Sequence, residues 1–136
     1  MSFQQRGLKS LSFFMLAIGI ISIVVGAIMN AFSVDAPAVA GIEDPVTAAR
    51  VGGVALIVEG ALYALTALLG IRSANNPGRV GAFLVLDSIV IPANIVGLAL
   101  VATSGTGSVW QYILYIVVAV ISGIYAVQAH RTRDDI

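Results

Sequence analysis

Apolar residues in this chain do not alternate with polar ones, as they do on half-buried strands. They run on, and the runs stop at charge, proline or glycine. Four such runs occur, at about 8–32, 48–71, 80–103 and 109–129. Each is close to the roughly 20 residues that a helix needs to cross a hydrocarbon core about 30 Å thick. The pattern predicts an all-α, polytopic membrane protein, an up-down-up-down bundle of four transmembrane helices forming a single domain over residues 1–136. Short polar connections set the order. Ser73-Ala-Asn-Asn-Pro-Gly-Arg79 joins helices 2 and 3, and Ser104-Gly-Thr-Gly-Ser108 joins 3 and 4, so both pairs are antiparallel neighbours.

Punctuation refines the ends. Asp44-Pro45 reads as an N-cap followed by proline at the first helical position, where its missing N–H is not needed. Asn76-Pro77 repeats the device, and Ser108 is the expected cap of helix 4. Trp110 and Tyr112 follow as headgroup-level anchors. Arg6 and Lys9 before the first run, with Ala38-Val39-Ala40 ahead of Gly41, have the outline of a signal peptide. The run is too long for a signal core of about 7–15 residues, and is expected to stay as a signal-anchor.

Within the runs, polar side chains at membrane depth must face protein or water. On helix 2, Gly52, Leu56, Glu59, Tyr63, Thr66 and Gly70 share one face, predicted to look inward, with Val54, Val58, Leu62, Leu65 and Leu69 toward lipid. On helix 3, Asp87 and Asn94 share a side, with Val85, Ile89, Val96 and Leu100 opposite. Pro92 lies between them and leaves the carbonyl of Ser88 without its helical donor. A rise of 1.5 Å per residue sets Glu59 about 18 Å and Asn94 about 21 Å above the ends of their helices, with Tyr63 and Asp87 lower, at about 12 and 10 Å. The expectation is a polar ladder. Glu59, carrying its proton, would donate to the amide oxygen of Asn94, and Asp87 would find Tyr63 and the Ser88 carbonyl, with Ser22 and Tyr115 near the upper rung. Helices 1 and 4 carry small residues for close packing: Gly19, Ser22, Gly26 and Asn30 on one, Ala119, Ser122, Gly123 and Ala126 on the other.

Composition agrees with the runs. Hydrophobic residues make up 59% of the 136 and charged residues 10%, far from the roughly 25% charged norm of soluble domains. The formal net charge of zero conceals an asymmetry. Arg6, Lys9, Arg72, Arg79, Arg131 and Arg133 all fall at one end of a four-helix zigzag, and only Arg50 at the other. The positive-inside rule then predicts both termini in the cytoplasm of a cytoplasmic (inner) membrane, and disfavours antiparallel dual-topology dimers. The partners expected are the lipid bilayer and either a parallel homo-oligomer or another membrane protein.

Several chemistries are excluded. With no cysteine there are no disulfides or thiolate metal sites. The one histidine, His130, stands among Arg131 and Arg133, away from both membrane acids, so neither a Ser/His/Asp triad nor a zinc site is expected. Gly52-Gly53 is followed by no P-loop lysine, and the basic ends are too sparse for nucleic acid. No catalytic residue, cofactor or metal is expected, and no enzyme activity.

The segment Leu69-Gly-Ile-Arg-Ser-Ala-Asn-Asn-Pro-Gly-Arg79 resembles the cytoplasmic turn of small, uncharacterised bacterial four-helix membrane proteins, a resemblance confined to this turn that implies no activity. Small multidrug transporters carry their membrane glutamate in the first helix, and here that helix has no acid. The signature polar and aromatic positions of small fluoride channels find no match. Two functional expectations follow. The favoured one is a non-enzymatic scaffold or accessory subunit whose polar ladder fixes helix packing. The alternative is a small, oligomeric proton- or cation-coupled transporter or channel in which Glu59 titrates.

Overall fold

The computed structural model describes residues 2–35, 44–104 and 109–132. They form four long helices in up-down order: α1 (Phe3–Ala31), α2 (Pro45–Asn75), α3 (Gly81–Ser104) and α4 (Val109–Thr132). All four are long and apolar enough to cross a membrane, which makes this an integral membrane protein in contact with lipid. Large side chains such as Ile21, Val58, Val85, Leu100 and Ile124 stand exposed around the helices, where hydrocarbon takes the role that water has for a soluble fold.

The helix ends follow local chemistry. α1 begins five residues before the apolar run, because Ser2 and Gln5 form a reciprocal capping box. The Gln5 amide N–H donates to Ser2 Oγ at 3.1 Å, and the Ser2 N–H donates to Gln5 Oε1 at 2.9 Å. α2 starts at Asp44-Pro45 as predicted: Oδ1 of Asp44 accepts the Thr47 N–H at 3.1 Å and Oδ2 accepts the Thr47 hydroxyl at 2.6 Å. Asn76, in contrast, caps nothing with its side chain. Pro77 opens a short 3-10 turn, Pro77–Arg79, and α3 begins only at Gly81. Pro92 is exposed and α3 runs through it without a break. The Ala38-Val39-Ala40 motif, Ser108 and Arg133 lie outside the described residues.

The chain gathers into two compact units, one of residues 1–16 and 65–136 and the other of residues 17–64. In the second unit α1 and α2 meet along glycines seven residues apart on each helix. A Cβ on Gly26 would lie 2.5 Å from the Gly53 carbonyl oxygen, and one on Gly53 2.7 Å from that of Gly26. Gly19 and Gly60 repeat the relationship at 2.8 and 2.5 Å. Only hydrogen fits between such backbones, and close packing of this kind takes the place of the hydrophobic effect where the solvent is itself oil. At the end of this unit Arg50 Nε donates to the buried Ser33 Oγ at 3.0 Å.

In the first unit all four helices contribute. Leu8, Ala74, Val80, Phe83 and Ala126 form an apolar cluster near the arginine-rich end. Hydrogen bonds close that end. Gln5 Nε2 donates to the carbonyl of Ala74 at 3.0 Å, Lys9 Nζ to Asn75 Oδ1 at 3.1 Å, and His130 Nδ1 lies 3.1 Å from the carbonyl oxygen of Pro77. These bonds serve carbonyls that a helix C-terminus and a turn would otherwise leave unpaired.

Candidate functional site

The first unit holds a polar interior built from small and medium residues. Asp87 is 3% exposed, and Ser12, Thr66, Asn94 and Ser122 are fully enclosed. On α3 the buried positions Phe83, Asp87, Val90 and Asn94 follow a 4, 3, 4 spacing, a single helical face. Their apolar opposites Val85, Ile89, Val96 and Leu100 are all exposed, as the sequence pattern predicts.

Two contacts fix how α3 lies on α4. The carboxylate of Asp87 rests on Gly123, where a Cβ would come within 2.6 Å of Oδ2, and Gly97 faces the ring of Tyr112, with Cε1 2.5 Å from a notional Cβ. Both fit one antiparallel register, which sets Val90 level with Ala119 and Asn94 level with Tyr115. Beside Gly123, the Ser122 hydroxyl points to the Met15 sulfur of α1 at 3.6 Å. One turn along α3 from Asp87, the edge of the Phe83 ring lies 3.1 Å from where a Gly70 Cβ would be, and the Ser12 hydroxyl fills the remaining space at Gly70. Thus α1, α2 and α4 each offer a glycine, a serine or both within about one turn of this carboxyl group, and at Gly123 the carboxylate takes the space a side chain would fill.

Oδ1 of Asp87, Oγ of Ser12, Oδ1 of Asn94 and, in the second unit, Oε1 of Glu59 are buried atoms that take no hydrogen bond from any described residue, although Glu59 is engaged elsewhere. This corrects the expected ladder. Asn94 spends its Nδ2 on the carbonyl of Val90, one turn back on its own helix, at 2.9 Å. A bond to its own backbone fixes fewer torsions than a bond to another helix, so the local partner wins. Its Oδ1, expected to accept from Glu59, accepts nothing, and Oδ1 of Asp87 receives no bond from a tyrosine. Ser88 is exposed, and its hydroxyl returns to the Val85 carbonyl at 2.7 Å. Tyr115 is buried and accepts from Gln111 Nε2 at 3.1 Å, with the Tyr112 ring edge-on to its own at 6.5 Å between centroids.

The remaining ladder residues belong to the second unit. Tyr63 is fully buried, Ser22 is nearly so, and Glu59 is half-buried beside Gly60 of the glycine seam. Sequence reasoning therefore identified Asp87, Asn94 and Tyr115 as interior residues, but missed Ser12 and Met15, buried residues of α1 that meet Gly70 of α2 and Ser122 of α4. The available signal was Ser12 itself, a small polar residue one turn before Met15 in an otherwise apolar helix.

Chemically, the level around Asp87 offers one carboxyl group with hydroxyls in the same packed core. Among the described residues no three of Asp, Glu, His and Cys come together, so a divalent metal that needs several carboxylates or imidazoles has no ready-made ligand set there. A proton or a single monovalent cation makes smaller demands. Comparison with protein-family profiles, with characterised proteins and with solved structures finds no match to this chain.

Proposed function

We propose that this integral membrane protein moves protons or a monovalent cation across the bilayer, without enzymatic chemistry, and that Asp87 is the group that takes up and releases the charge. One observation carries the reading: a carboxyl group 97% enclosed, its Oδ1 reached by no hydrogen bond from a described residue and its Oδ2 set against a glycine. A buried acid that served as glue between helices would be paired, because an unpaired polar group at membrane depth costs several kcal/mol by an order-of-magnitude reckoning. A site that alternates between proton-bound and proton-free states needs unspent acceptor capacity. Glu59, the sequence expectation, also has a buried oxygen without a hydrogen bond, but it is only half-buried, and the titrating role is assigned to Asp87 as the more enclosed acid.

Both termini are taken as cytoplasmic, from Arg6, Lys9, Arg72, Arg79, Arg131 and Arg133 gathered at one end. A parallel homo-oligomer is taken as the working unit, since four helices of this length leave little room for a pathway. The test is flux. Protein reconstituted in liposomes with an internal pH dye should dissipate an imposed gradient, and Asp87→Asn, nearly isosteric, should lower the rate at least tenfold while Glu59→Gln keeps most of it. A folded Asp87→Asn protein with unaltered flux refutes the assignment.

A second reading, the scaffold or accessory subunit, is favoured by the glycine seam of residues 19, 26, 53 and 60, which packs the two helices of the second unit backbone to backbone. Wild-type liposomes with no flux above protein-free controls, in each cation tested, would support it.

A further inference from the structure

At the arginine-rich end of the first unit, α2, the 3-10 turn and α3 line an open, shallow cavity of about 380 Å³. Its walls include Leu69 and Arg72 from the last turns of α2, Arg79 from the turn, and Gly81 and Ala82 from the first turn of α3. No acid lines it. From this cavity we infer a binding site for the phosphate headgroup of an anionic phospholipid, independent of the transport reading above.

Three observations converge. The first is charge: two exposed arginines, Arg72 and Arg79, line the cavity, and the guanidinium each carries is a planar fork that matches phosphate oxygens. The second is the balance of donors and acceptors. Carbonyls at the end of α2 that would repel an anion are already engaged, Arg72 O by the Asn76 N–H at 2.9 Å, Leu69 O by the Ser73 hydroxyl at 2.8 Å and Ala74 O by Gln5. The residue before α3 is Val80, which has no side-chain acceptor, and α3 has no acid in its first turn. Space at Gly81 is open, with nothing within 4 Å of a notional Cβ. What the cavity presents is therefore a surplus of donors.

The third observation selects a lipid over a free anion. One turn deeper than Leu69 and Arg72 on α2 stand Leu65 and Leu68, both half-exposed, and one and two turns deeper than Gly81 and Ala82 on α3 stand Val85 and Ile89, also exposed. Helical spacing continues the cavity wall into these apolar positions on both helices. A headgroup seated between the arginines would have its acyl chains led along Leu65 and Leu68 on one side and Val85 and Ile89 on the other. Basic pockets between transmembrane helices at a membrane face are recognised lipid-headgroup sites, and this one has its hydrocarbon track attached.

The experiment uses the full chain in detergent with an equimolar mixture of phosphatidylglycerol and phosphatidylcholine of identical acyl chains, with retained lipid counted by native mass spectrometry. Expected is a preference for phosphatidylglycerol of about tenfold or more, the scale of two basic side chains near an anionic surface. Arg72→Gln with Arg79→Gln should abolish it, and Arg131→Gln should not. Arg72→Lys with Arg79→Lys, which keeps the charges that set membrane insertion, should lower the preference because lysine lacks the fork. Equal retention of the two lipids overturns the inference. So do equal losses from the Arg131 variant and the paired glutamine variant, which would mean diffuse charge attraction, and full displacement by millimolar inorganic phosphate, which would mean a free-anion site.

Discussion

Asp87 and Gly123 touch: the carboxylate on α3 occupies the space where any side chain at 123 would begin, 2.6 Å from a notional Cβ. The register of α3 on α4 and the seating of the interior acid are therefore one fact. Gly123→Ala should displace Asp87 or part the helices. Because the neighbour is a short, buried side chain with no room to swing, the expected loss is about 1–3 kcal/mol, the usual scale of overpacking. Reversible unfolding in mixed micelles measures it, and stability within about 0.5 kcal/mol of wild type would contradict the contact.

Glycines in this chain should differ according to what opposes them. Gly26→Ala sets a methyl against the Gly53 carbonyl and the Ile57 backbone nitrogen, atoms that move only if the helix moves. It should destabilise the second unit by about 1–3 kcal/mol. Gly97→Ala meets the Tyr112 ring, which can rotate or slide, so its effect should be smaller. The same unfolding assay ranks the two, and the reverse order would mean that the ring, not the seam, is the rigid partner.

Gln5 works at both ends of its side chain, accepting from the Ser2 N–H and donating to the Ala74 carbonyl. Gln5→Ala removes both bonds. Loss of about 1–2 kcal/mol is expected, seen first as faster amide exchange in the opening turn of α1 and the closing turn of α2. Exchange changed at α1 alone would show that the bond to Ala74 adds nothing.

Asp44 titrates outside the membrane span. The Thr47 hydroxyl bonded to its carboxylate, and after it the Thr47 N–H, hold its pKa below the ordinary aspartate value of 3.8. A depressed folded pKa means that the cap strengthens α2 above the unfolded pKa and loses that effect as pH falls through the folded one. Amide exchange at Thr47 should thus be flat from neutral pH down to about 4 and then, corrected for intrinsic rates, accelerate. Asp44→Asn, which still accepts but cannot ionise, should remove the acid-side step. If that variant keeps the step, another group is responsible.

How far the sequence could be read depended on which signal oil preserves. The exposed face of α3 was legible because charge and amide at 87 and 94 leave no choice about which side turns inward. The inward face of α2 was only half legible. Tyr63, Thr66 and Gly70 are buried as expected, but the seam runs through Gly53 and Gly60, each one position beyond the expected Gly52 and Glu59, and the seven-residue spacing of small residues continues along the helix in the buried Ala67 and Ala74. In a bilayer small size marks a helix interface as strongly as polarity does, and a stripe of glycine and alanine every seven residues looks apolar to a hydropathy count. The start of α1 was missed for a different reason: the apolar run begins at Leu8, while the cap that nucleates the helix, Ser2-Phe-Gln-Gln5, is polar. The unpaired oxygens of Asp87 and Asn94 were beyond reach, since choosing between a partner on another helix and a carbonyl on the same one requires the register.

The division of α1 between two units bears on biogenesis. Its half from Ala17 onward packs with α2 up to Ala64, so that glycine seam can close as soon as α1 and α2 have been inserted. The residues up to Leu16 belong with segments that extend through α4. Gly7 cannot meet Tyr125, nor Met15 meet Ser122, until α4 has been made, so the compartment around Asp87 closes after the seam, and any truncation of α4 leaves that acid unsheltered in a half-built protein.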